Sequence, residues 1–70
     1  MMNEKAQKRI AVEKKAKTGN LSLINCDLKQ IPEDVNKMPW LQVLFLENNQ
    51  IAQIKNLDQL QQLQSLYLSN

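Results

Sequence analysis

Leucines two residues apart recur along this 70-residue chain: Leu21 and Leu23, Leu44 and Leu46, Leu66 and Leu68. The steps between them are 23 and 22 residues. Other positions keep the same phase. Leu41 and Leu63 lie three residues before their pairs, with Thr18 at that place in the first copy. Cys26 and Asn49 lie three residues after, followed by Leu28 and Ile51, then Ile31 and Ile54. A repeat of this length is one unit that cannot bury its apolar side alone, so stacked neighbours must build a continuous core.

Within the repeat, "LQVLFLE" alternates with period two and reads as a strand. Leu44 and Leu46 face one way; Val43, Phe45 and Glu47 face the other. Asn49 suits the sharp turn that leaves the strand, and a buried amide there is placed to satisfy backbone groups of adjacent coils. Cys26 holds the matching place, where a small thiol tolerates burial. The returning segments differ. "LKQIPEDVNKMPW" carries Pro32, Val35 and Met38, whereas "IAQIKNLDQLQQ" spaces Ile54, Leu57, Leu60 and Leu63 by threes. Such spacing predicts short 3₁₀ or helical turns on the convex side.

Residues 1–17 have another character. Lys5, Lys8, Arg9, Lys14, Lys15 and Lys17 stand against Glu4 and Glu13, a net charge of +4, whereas residues 18–70 net −2. The composition favours helix over 3–17, with Gly19 as its stop. Met2, Ala6, Ile10 and Ala16 share a side, with Val12 at its margin, and Arg9 and Glu13 interrupt it. Such a helix is suited to cover the open first coil.

The run L-x-x-L-x-L-x-x-N-x-I-x-x-I over 41–54 resembles the leucine-rich repeat family, and the resemblance extends over 18–70. It implies an α/β solenoid: a right-handed superhelix with short parallel strands on the concave face and an N-terminal capping helix. The expected divisions are a basic capping helix at 1–17, a first repeat at 18–40, a second at 41–62 and the start of a third at 63–70. The ladder position of that third repeat falls one residue past Asn70, so the pattern is expected to continue in a longer array. The stretch "RIAVEKKAKTGNLSLINCDLKQIPEDV" also resembles the start of repeat arrays in Roco-type multidomain GTPases.

The chemistry available excludes most catalysis. There is no histidine, one cysteine and one glycine, hence no acid–base set, zinc cluster or phosphate loop. Glu33 and Asp34 are neighbours at a turn, where carboxylates sit in solvent. No cofactor, metal or small-molecule substrate is expected. No apolar run reaches the roughly 20 residues of a membrane span, and no secretory signal is present; the expected location is the cytoplasm. The expected function is recognition of a protein partner through the outward strand positions. These are Ser22, Ile24, Val43, Phe45, Glu47, Ser65 and Tyr67 as binding residues, flanked by Asn20 and Ser69, with Cys26 and Asn49 as the structural ladder. Phe45 and Tyr67 share a phase and are expected side by side. The alternative is nucleic-acid or anionic-surface binding through the basic helix at 5–17, although no aromatic residue interleaves its cations. Trp40 fits either packing against the helix or exposure as an anchor. The uncapped last coil, with Leu60, Leu63, Leu66 and Leu68, is expected to favour self-association.

Overall fold

The computed structural model describes residues 3–68; Met2 and Ser69, assigned above, lie outside them. One helix, α1 (Glu4–Ala16), precedes three short strands, β1 (Asn20–Ser22), β2 (Val43–Phe45) and β3 (Ser65–Tyr67). The strands form one parallel sheet in sequence order. Leu21 pairs with Leu44, and Leu44 with Leu66, so the sheet register equals the sequence repeat. The bonds between coils repeat as well. Gln42 and Val43 N–H donate to Gly19 C=O, and Gln64 and Ser65 N–H donate to Gln42 C=O. Leu23 N–H donates to Phe45 C=O, as Leu46 N–H does to Tyr67 C=O.

Leu21, Leu23, Leu44 and Leu46 are all buried, with Leu28, Ile31, Val35, Met38 and Leu41 behind them. Each such side chain contributes about 1.5–3 kcal/mol relative to exposure. After each of the first two strands the chain must turn sharply, and an asparagine adopts the left-handed conformation there: Asn25 at φ 62° and Asn48 at φ 59°. Asparagine tolerates that region better than other side chains.

Of the expected short 3₁₀ or helical turns, one forms in the first return and none in the second. The first forms a 3₁₀ turn at Glu33–Lys37, started by Pro32 at φ −61°. The second has no 3₁₀ segment; Asn56 at φ 65° bends it, and its side chain donates to Ile31 C=O. Asn36 ties the two returns, donating to Asp58 and accepting from Gln59 N–H. Ile54 is 57% exposed, whereas its counterpart Ile31 is fully buried. The second return has nothing packed on its far side among the described residues.

The helix also departs from expectation. Its buried stripe is Ala6, Ile10 and Glu13; Ala16 is exposed and Val12 is 66% exposed. The helix stops at Lys17, left-handed at φ 50° with its N–H on Glu13 C=O, two residues before Gly19. Asn3 caps the N-terminus, accepting from Lys5 and Ala6 N–H.

Asn49 holds the first two full coils together. It is 5% exposed. Its Oδ1 accepts from Cys26 N–H and Leu28 N–H, both at 3.0 Å. Its Nδ2 donates to Leu23 C=O and Leu46 C=O at 2.9 Å, with Glu47 C=O at 3.2 Å. Asn49→Leu leaves these backbone groups buried without partners, an expected loss of about 1–3 kcal/mol. Urea unfolding of the two proteins measures it; an unchanged midpoint would contradict this account of the turn.

Candidate functional site

The outward face of the sheet is built by the residues that alternate with the core leucines. Register places Asn20, Val43 and Ser65 in one row, and Ser22, Phe45 and Tyr67 in the next. The Phe45 and Tyr67 rings stack with centroids 4.9 Å apart and planes 7° from parallel. Phe45 and Val43 are half-buried, and Tyr67 is 46% exposed. Ser22 is exposed and Ser65 half-buried. Ile24 and Glu47 are half-buried in the segments that leave β1 and β2, where Glu47 C=O accepts from Asn25 N–H. Glu47 Oε1 is out of solvent and has no hydrogen-bond partner among the described residues. Of the ladder pair, Asn49 carries the bonds given above, and Cys26 is a buried free thiol whose Sγ lies 3.6 Å from Ile24 C=O.

This face ends at β1, and α1 completes the outer edge of that strand. A parallel edge strand directs alternate N–H and C=O groups away from its neighbour. Here side chains meet both backbone groups of Asn20 and the C=O groups of Ser22 and Ile24. Asn20 N–H donates to Thr18 Oγ1 at 3.1 Å. Arg9 donates to Ser22 C=O at 3.3 Å and Ile24 C=O at 3.2 Å. Lys5 Nζ donates to Asn25 C=O at 2.9 Å, and Asn3 Nδ2 to Cys26 C=O. Cys26 stands where Asn49 stands one coil later. No earlier coil offers it N–H groups to accept, and Asn3 and Arg9 reach the carbonyls around it instead.

Other basic residues of the first segment also find partners within the chain. Lys14 lies 3.5 Å from Asp34, and Lys17 sits 5.0 Å over the Trp40 ring. A shallow cleft between α1 and β1, lined by Val12, Ala16 and Leu21 with Lys8 and Arg9 beside it, continues the outward face onto the helix. Among the described residues no cluster could hold a metal ion, and no helix is long and apolar enough to cross a membrane.

Glu13, read from sequence as an interruption of the helix, is the joint between helix and sheet. It is 4% exposed. Its carboxylate accepts from Thr18 Oγ1 at 2.6 Å, Gly19 N–H at 2.8 Å and Trp40 Nε1–H at 3.0 Å. Trp40 thereby packs on the helix side of the sheet. Burial acts to raise the Glu13 pKa, but the bonds from Thr18, Gly19 and Trp40 outweigh it and hold the carboxyl below its ordinary value. The signal in the sequence was the spacing Ala6, Ile10, Glu13, which places Glu13 on the buried stripe.

A carboxyl with a lowered folded pKa stabilises the fold above its unfolded pKa, near 4.5. That contribution is lost as pH falls through the folded value. Glu13→Gln has one acceptor oxygen and turns its NH₂ toward another donor. It is expected to cost about 1–3 kcal/mol near neutral pH and to flatten the loss of stability below pH 4.5. Denaturant titrations of both proteins across that range provide the check.

Residues 39–70 match the family model described as Leucine Rich repeats (2 copies). No curated protein and no solved structure matches the chain. Residues 39–70 are thus similar to leucine-rich repeats, and the coil before them pairs strand to strand with them in the same register.

Proposed function

We propose that this chain recognises a protein partner through its strand face, which forms the concave side when coils of this kind wind into a right-handed superhelix. The family supports a protein-interaction role. The observation that carries the choice of surface is the Phe45–Tyr67 stack, with Tyr67 46% exposed beside it. Neither ring fills the core, which Leu44 and Leu46 already close. Apolar area rimmed by polar groups marks interaction sites, and aromatic residues dominate their energetics. Val43 and Ile24 widen the patch; Ser22, Ser65 and Glu47 provide polar contacts around it.

A second reading concerns the last coil. Ile54 is exposed and Ile51, Leu57, Leu63, Leu66 and Leu68 are only partly covered, which favours association of this coil with another apolar surface.

The test of the strand face separates binding from folding. A photo-crosslinking residue at position 67 is expected to capture a partner that the same residue at position 30, on a return segment, does not. Phe45→Ser with Tyr67→Ser is expected to weaken that binding by about 2 kcal/mol or more. The same pair should disturb folding much less than Leu44→Ala, which opens a cavity worth about 2–5 kcal/mol. Equal capture at both positions, or normal binding by the double variant, would move the site off this face.

A further inference from the structure

One backbone donor on the outer edge of β1 is left over. Leu21 and Leu23 turn toward β2, with Leu21 opposite Leu44 and Leu23 N–H on Phe45 C=O. By alternation Ser22 N–H points the other way, and it has no partner among the described residues. Ser22 lines the cleft against α1, which holds about 490 Å³. The edge carbonyls of Ser22 and Ile24 are already taken by Arg9, so a full strand cannot add here. A single backbone acceptor can.

The side chains around this donor divide by chemistry. Val12, Ala16 and Leu21 form the apolar part of the cleft. Val12 is 66% exposed, and Ala16 one turn on is exposed as well. Lys8 and Arg9 supply the cations. Lys8 forms no ion pair among the described residues. Arg9 is fixed through its Nη1, which donates to two carbonyls. Its Nε and Nη2 have no partner among the described residues. These two nitrogens lie along one side of the guanidinium, where they match the two oxygens of a carboxylate. Glu13 is the cleft's own carboxylate, and it is turned inward on Thr18, Gly19 and Trp40. Glu4, one turn before Lys8, stands outside the cleft. What remains toward solvent is positive charge, an apolar floor and one N–H.

We propose that this cleft takes a short, extended acidic segment of the partner protein. A backbone C=O of the segment accepts from Ser22 N–H, a carboxylate meets Arg9 and Lys8, and an apolar side chain lies on Val12, Ala16 and Leu21. The proposal rests on the protein-recognition reading and adds a second contact beside the strand face, with the chemistry of its occupant. A carboxylate at the rim with an apolar group on the floor is a combination that a peptide offers. A nucleic acid would set phosphates against that floor, and α1 carries no aromatic residue on which a base could stack. An anionic lipid surface would engage the exposed lysines of α1 alike and would give Ser22 N–H no role.

Titration of the ¹⁵N-labelled 70-residue chain with the peptide Glu-Val-Glu-Val-Glu-Val tests this through amide shifts. Saturable shifts are expected at Arg9, Val12 and Ser22, with Ser22 N–H moving downfield as it gains an acceptor. Lys8→Glu with Val12→Gln changes two exposed helix positions. It is expected to weaken binding about tenfold or more, while Trp40 emission, which reports the bond to Glu13, stays unchanged. Arg9→Lys keeps the charge and is also expected to weaken binding, because an ammonium cannot hold both carboxylate oxygens. Equal binding of Gln-Val-Gln-Val-Gln-Val would overturn the acidic requirement. Shifts confined to the lysines, and matched by oligothymidylate or phosphatidylserine vesicles, would replace the peptide site with a general anionic contact. If no saturable shift develops up to about 5 mM peptide, the cleft is ruled out, and the strand face, tested separately at position 67, is untouched. Saturation at Ser22 without capture at position 67 would keep the cleft and move recognition off the strand face.

Discussion

In a sheet of three-residue strands, the backbone groups that packing shuts away from solvent must find partners within the chain. An unpaired buried N–H or C=O costs as much as a lost hydrogen bond. In this protein β2 solves the problem by repetition, since both its neighbours are strands in the same register. At β1 the solution is a set of side chains. Arg9, Lys5, Asn3 and Thr18 each place a polar group against the strand edge or the turn that follows it. The helix is thus a substitute for a preceding coil, and its cations act as hydrogen-bond donors to carbonyl groups.

Glu13 makes that substitute specific. A helix held only by Ala6 and Ile10 would bury little area and could slide along the first coil. The carboxylate fixes it by accepting from Thr18, Gly19 and Trp40, which lie in the link to β1 and in the segment before β2. Trp40 is drawn toward the helix by the same bond and covered by Lys17. The aromatic content of the surface is therefore divided. Trp40 serves the junction, and Phe45 and Tyr67 remain on the strand face.

That division bears on recognition. Parallel register brings Phe45 and Tyr67 into one stacked column on the strand face. A stack of two rings contributes about 0.5–1.5 kcal/mol to the sheet beyond area burial. It also leaves a rigid ring surface with few rotatable bonds, which loses little entropy when a partner covers it. Ser22 on the neighbouring strand and the cleft beside α1 extend this surface toward the helix.

The repeat was legible in the sequence because it is carried by local chemistry. Leucine pairs two apart make strands, their spacing of 23 and 22 residues sets the register, and an asparagine at a fixed offset marks the turn. Those signals depend on near neighbours and on phase, and they assigned the stacked strands, the adjacency of Phe45 and Tyr67, and the place of Asn49. The joint at Glu13, the use of Arg9 on strand carbonyls and the side taken by Trp40 carried no such phase. Their partners lie 5 to 27 residues away and belong to segments that do not repeat. The exposure of Ile54 likewise depends on what packs against its coil, since Ile31 at the same phase is fully buried. Periodicity determined which residues face inward within a coil; contacts between the helix and coils decided which charged groups are buried and which apolar ones remain open, because burial is a property of the neighbouring element and not of the residue's own repeat.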